Sequence, residues 1–85
     1  MEKDPLLRAV IVELRAEMAR QKISQREVAN RIGVSAQYLS ELLNGTKRLR
    51  AALLHKAAQT LGLDMETLYA RAEAAMRAAE REAAA

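Results

Sequence analysis

The stretch Gln25–Asn44, QREVANRIGVSAQYLSELLN, leaves this chain few ways to fold. Just before it, Ser24 supplies the hydroxyl of a helix N-cap, and Glu27 three residues on completes a capping box, with Ile23 and Val28 at the two staple positions. Val28, Ala29 and Ile32 then share one helical face. Gly33 follows the last apolar residue, where a left-handed backbone ends a helix without a Cβ clash. Ser35 caps a second helix, and Val34 and Leu39 repeat the staple. The spacing predicts two short helices joined by a tight turn. Ala29 falls where they cross, because only a small side chain lets the backbones approach closely.

The second of these helices has two faces. Leu39, Leu42 and Leu43 project together towards a core, while Ala36, Gln37, Ser40, Glu41 and Asn44 fall on the opposite side. That outward face carries short groups and hydrogen-bonding side chains and has no Lys or Arg. An ordinary solvated face would more often pair Glu with Lys at i, i+4. A helix-turn-helix with an exposed recognition helix is therefore a better reading than a plain polar face.

Charge points the same way. The chain of 85 residues has a net charge of +3, but the charge is uneven. From Arg20 to Lys56 the cations are Arg20, Lys22, Arg26, Arg31, Lys47, Arg48, Arg50 and Lys56, against Glu27 and Glu41 alone, a local net of +6. A phosphate-binding surface around the two-helix unit would produce this asymmetry. Composition excludes other classes. Cys is absent, which removes disulfides, thiolate metal sites and cysteine nucleophiles, and a single His builds no zinc site. His55 reads as an exposed helix residue, the serines have capping or surface roles, and no glycine-rich phosphate loop occurs, so neither an enzyme nor a cofactor is expected. Charged first residues and the lack of any long apolar run predict no signal peptide and no membrane span, hence a soluble, cytoplasmic protein.

Around the central unit the pattern is helical throughout, with no strand pattern, repeat or linker. Asp4 and Pro5 stand as N-cap and N1 of a first helix, whose stripe is Leu7, Val10, Ile11, Leu14 and Met18, with Arg8, Glu13, Arg15 and Glu17 outside it. That stripe should cover the open side of the two-helix unit, and Arg20-Gln21-Lys22 should form the exit loop. After Asn44-Gly45 comes the cationic loop Thr46-Lys47-Arg48-Leu49-Arg50, with Leu49 expected to tuck inward. A fourth helix is expected over 51–61 with Leu54, Ala57, Ala58 and Leu61 inward, no clear N-cap, and Gly62 as its stop. Leu63-Asp64 repeats the staple and cap, with Leu68 at the far position, before a fifth helix starting near Met65. Its stripe is Leu68, Tyr69, Ala72, Ala75, Met76 and Ala79, and the end from Glu82 to Ala85 should fray.

Residues Gln25 to Leu63 resemble the Xre/Cro-repressor, or phage lambda repressor-like, family of helix-turn-helix DNA-binding proteins. The resemblance lies in SQREVANRIGVS, then YLSELLNG, then LGLD: the small residue is met by Ala29, the turn glycine by Gly33, and the buried positions by Val28, Ile32, Val34, Leu39 and Leu42. It implies an all-α, five-helix lambda-repressor-like domain with the helix-turn-helix in its second and third helices, from which the extended, Ala-rich C-terminal helix read along the chain departs. The expected organisation is one domain over 1–85, with a family-like core over 1–70 and an Ala-rich extension over 71–85. Leu43 stands where many members carry a glutamate, and the loop after Arg50 lacks the common Pro-Ser helix start. Those departures lean towards the antitoxin-like branch.

What the resemblance implies is sequence-specific binding of double-stranded DNA by a transcriptional repressor or a module of one, with the recognition helix 35–44 in the major groove. By analogy with the family, Ala36, Gln37 and Glu41 read bases: Gln37 bonding adenine N6 and N7, Ala36 touching a thymine methyl, Glu41 accepting from cytosine N4. Gln25 opens the first motif helix, where backbone and side-chain amides can bond phosphate. Ser35, Tyr38, Ser40, Asn44, Thr46, Lys47, Arg48 and Arg50 are the other phosphate candidates. Single-stranded or RNA-loop binding is less favoured, since aromatics make up 2% of the chain. A monomer or weak homodimer in solution is expected, with pairing favoured on DNA through Leu68, Ala72, Met76 and Ala79 of the fifth helix. An antitoxin-like protein that neutralises a toxin-like partner, and an engineered DNA-binding module, stay open as alternatives.

Overall fold

A computed structural model of the chain describes residues 4–48 and 50–84. It has five helices in the order α1 (Pro5–Gln21), α2 (Gln25–Ile32), α3 (Ala36–Asn44), α4 (Ala51–Thr60) and α5 (Met65–Ala84). The helices start where the caps predict. The Leu6 N–H donates to Asp4 Oδ1 at 2.9 Å, Glu27 N–H to Ser24 Oγ at 3.1 Å, Tyr38 N–H to Ser35 Oγ at 3.0 Å and Thr67 N–H to Asp64 Oδ1 at 2.7 Å. The last bond, from the Thr67 backbone and reinforced by its side chain, holds the Asp64 carboxyl below its ordinary pKa. α4 differs: Arg50 occupies its N-cap position and makes no side-chain capping bond. Gly33 and Gly45 end α2 and α3 at φ of 80° and 78°, the left-handed conformation that a Cβ would strain.

Two local expectations are corrected. The capping box is half formed, because the Glu27 carboxylate turns along its helix to Arg31, at 3.0 Å, and leaves the Ser24 backbone. The exit from α1 begins two residues later than expected: Arg20 and Gln21 are still helical, and Lys22 takes the left-handed C-cap at φ 57°. Its N–H and that of Ile23 then bond back to Ala19 and Met18.

The core draws on every helix: Val10, Ile11, Leu14 and Met18 from α1, Val28 and Ala29 from α2, Leu39, Leu42 and Leu43 from α3, Leu54, Ala57 and Ala58 from α4, then Leu61, and Leu68 and Ala72 from α5. Leu6 and Leu7 are both half-buried, and it is Leu6, not Leu7 as expected at the head of the stripe, that packs on this cluster, since Leu6 lies a full turn before the buried Val10. α1 lies chiefly along α5, and α2 packs on α3 and α4, so α1 backs the domain more than it covers the two-helix unit.

Glu17 is the main polar tie between the long helices and corrects its reading as an outward residue. Its side chain is 12% exposed and accepts from Arg20 and Gln21 of its own helix and from Arg71 of α5, at 2.9, 2.8 and 2.8 Å. The bonds from Gln21, Arg20 and Arg71, in that order, lower its pKa from 4.5 to about 2. Gln21 also donates to the Leu61 carbonyl at 2.6 Å, which ties α1 to the end of α4.

The expected partner-facing stripe of α5 is likewise corrected. Leu68 and Ala72 are fully buried in the domain's own core; Met76 is half-buried, and Ala75 and Ala79 are exposed. α5 stays helical to Ala84, through residues expected to fray, while the inward turn expected of Leu49 lies outside the described residues. Among the described residues no helix is long and apolar enough to cross a membrane.

Candidate nucleic-acid interface

The surface that the sequence singles out is built on α3 and the loop behind it. Burial of Leu39, Leu42 and Leu43 fixes the rotation of α3, so the opposite side chains turn outward. Gln37 and Asn44 are exposed and Ser40 and Glu41 half-buried, whereas Ala36, expected on the outward face, is half-buried and packs against the core. Its place at the first turn, where α3 approaches the rest of the domain, explains the difference.

Hydrogen bonds organise the face. Gln37 Nε2 donates to Glu41 Oε1 at 3.2 Å, one helical turn away, and Asn44 Nδ2 donates to Ser40 Oγ at 3.4 Å. Beyond Gly45 the chain folds back over the end of α3. The Thr46 N–H, the Thr46 hydroxyl and the Lys47 N–H all point to the Glu41 carbonyl, at 3.0, 3.1 and 3.4 Å. This brings Lys47 Nζ to 3.5 Å from Glu41 Oε2 and 5.8 Å from the centre of the half-buried Tyr38 ring. Arg48 and Arg50 are exposed and make no ion pair among the described residues. Ser35 is exposed at the cap, its oxygen accepting from Tyr38, and Gln25 is half-buried as the first residue of α2.

One residue of this surface escaped the sequence reading. Arg15 of α1 reads as an outer solvated cation, yet its Nη2 donates to Asn44 Oδ1 at 2.6 Å. It therefore steadies the last residue of α3 and adds a guanidinium beside it. The two residues are 29 apart in sequence, and no local signal links them.

Two buried-core helices set by caps and a glycine turn, the second presenting a polar face beside three cations, define a helix-turn-helix unit. The chain belongs to the helix-turn-helix family, whose profile matches residues 14–68. It is 36% identical over 59 residues to an uncharacterized HTH-type transcriptional regulator of Mycobacterium tuberculosis, found alike in strains CDC 1551 / Oshkosh and ATCC 25618 / H37Rv. That match takes in 69% of this chain and 42% of the relative, so the chain spans less than half the relative's length. Among solved structures it is similar to the clp gene regulator ClgR from Corynebacterium glutamicum, at 32% identity and a TM-score of 0.77, over 93% of this chain and 86% of the other. The five-helix, lambda-repressor-like fold stands on this likeness as well as on the helices themselves.

Proposed function

We propose that the chain binds double-stranded DNA sequence-specifically and regulates transcription, as a repressor or the DNA-binding module of one. The observation that carries this reading is the polar face of α3, with Gln37 exposed near its N-terminus, set beside the unpaired cations Arg48 and Arg50. A helix of this width fits the major groove, its N-terminal half nearest the bases. The names of the relatives, HTH-type transcriptional regulator and clp gene regulator, support the same assignment.

In this reading Gln37 bonds adenine, and Ala36, though half-buried, offers its methyl to thymine from the first turn. Glu41 stands one turn further along and bears on base choice from beside Gln37, at 3.2 Å. Gln25, Ser35, Tyr38, Ser40, Asn44, Thr46, Arg48 and Arg50 meet the sugar-phosphate backbone and fix register without reading sequence, while Lys47 of the same loop lies against Glu41. Residues 1–85 act as one DNA-binding domain, a core over 1–70 with 71–85 as a helical extension. A single recognition helix reads few base pairs, so two copies pair on half-sites about 34 Å apart. Since Leu68 and Ala72 are already buried, the alanine-rich end of α5 offers little apolar area to a second copy, and pairing depends on DNA.

Selection from a random duplex library tests the reading. The parent enriches one motif, and Gln37→Ala relaxes a single base position, worth about 1–3 kcal/mol of discrimination. Failure of the parent to enrich any motif at moderate salt refutes it.

A further inference from the structure

We propose that Glu41 is a positioning residue, which sets base choice by fixing the Gln37 amide and restrains Lys47, and bonds no base itself. The inference rests on reading α3 as the DNA-reading helix. Both carboxylate oxygens face partners within the protein: Oε1 lies 3.2 Å from Gln37 Nε2 and Oε2 lies 3.5 Å from Lys47 Nζ. To accept from cytosine N4, Glu41 would have to share an oxygen already engaged by one of them.

The Gln37 contact has a chemical polarity. A carboxylate only accepts, so it holds the NH2 end of the amide and repels the carbonyl end. With one N–H given to Glu41, the other N–H and the carbonyl oxygen remain as the donor and acceptor that adenine N7 and N6 require. An amide free to flip could instead turn its donor or its acceptor to other base edges. The carboxylate at i+4 removes that freedom before DNA arrives, and fewer rotamers are then lost on binding.

The Lys47 contact follows from the backbone. Three donors from Thr46 and Lys47 converge on the Glu41 carbonyl, so the loop is folded onto the residue whose carboxylate the lysine meets. The Tyr38 ring faces the same ammonium at 5.8 Å. A lysine held there is withheld from the phosphates, and the carboxylate adds its own repulsion towards a polyanion. Glu41 thus lowers affinity for DNA in general while sharpening one base choice, the two-sided action of a specificity residue.

Glu41→Gln separates these roles, because glutamine keeps the shape but can donate as well as accept and carries no charge. The experiment combines library selection, a salt titration on a fixed duplex and NMR of the free protein, with Gln37→Ala marking which base pair belongs to Gln37. In Glu41→Gln the preference at that pair falls about tenfold, within the roughly 5- to 150-fold span of a bidentate contact. Release of Lys47 to phosphate steepens the log–log salt slope by about 0.9. In the free protein the Gln37 side-chain amide resonances move. Relaxation at a different base pair, with the Gln37 pair intact, shows direct reading by Glu41 and overturns the proposal. So do an unchanged motif and slope, or unmoved amide resonances. A parent that enriches no motif overturns the DNA reading, and with it the role in base choice, even where the amide resonances show the side chain to be held.

Discussion

Arg50 occupies a position where stability and DNA binding ask for different residues. It stands at the N-cap of α4 with extended angles, φ −97° and ψ 133°, that suit a serine cap, yet its side chain caps nothing. Replacing a residue that cannot cap by serine gains about 0.5–2 kcal/mol in general. Here the Leu53 N–H, the usual target of a cap, already reaches the Arg50 carbonyl at 3.1 Å, so the lower half of that range applies. Removal of a cation from the positive end of the helix adds a few tenths of a kcal/mol. Arg50→Ser is therefore expected to stabilise the domain by about 1 kcal/mol, a rise in Tm of roughly 4–8 °C for a chain of this size.

The same change removes one phosphate contact. It flattens the log–log salt slope by about 0.9, equivalent to about an eightfold loss of affinity near 0.1 M salt, for specific and random duplexes alike. Arg50→Ala serves as the partner measurement, since it loses the charge without gaining a cap. Calorimetric melting and anisotropy titrations at several salt concentrations read both effects. Equal Tm values for Ser and Ala would refute the capping argument. An unchanged salt slope in both would show that Arg50 meets no phosphate.

Two further outcomes are expected. With its folded pKa depressed to about 2 from 4.5, Glu17 stabilises the fold fully above pH 4.5, and that contribution disappears as pH falls towards 2; denaturant melts of the parent and Glu17→Gln should converge across this window, and a constant gap would disprove the link. Lys22→Gly relieves a left-handed side-chain residue at φ 57° and should stabilise by about 0.5–1 kcal/mol after the greater freedom of unfolded glycine is offset, read as a higher urea midpoint at unchanged m; a lower midpoint would locate a stabilising role in the lysine side chain.

The sequence revealed what depends on neighbours three or four residues apart. Asp4, Ser24, Ser35 and Asp64 cap as expected, Gly33 and Gly45 take left-handed turns, and the buried faces of α2, α3 and α4 follow from helical spacing, except that Ile32 and Val34, expected buried, are half-buried at the edge of the core. What it hid depends on how whole helices lie. Glu17 meets Arg71 across 54 residues and Arg15 meets Asn44 across 29, and both read as solvated charges when each helix is considered alone. The α5 stripe was legible as a stripe but ambiguous in purpose, since a face that seeks a second copy and one that seeks α1 share the same period. At the candidate site the positions of Gln37 and Glu41 on a common face were readable. Their bond to each other was not, because it depends on rotamers and on the loop that brings Lys47 to the same carboxylate.

Three residues that break rules of capping, backbone or charge lie in one stretch. Arg50 where a cap belongs and Lys22 where a glycine belongs both lie in the basic stretch between Arg20 and Lys56. Glu41, an acid on the helix proposed to face a polyanion, lies there too. Each choice departs from what stability or charge attraction alone would select, and each sets the charge of that stretch. Between α1 and α5, by contrast, charge is matched, with Glu17 paired to Arg71 across the two helices. A chain under selection for folding alone would show no reason for the departures to gather in one stretch. Their concentration is what a surface shaped by a second requirement would leave, because local consistency is given up first where a site needs particular groups.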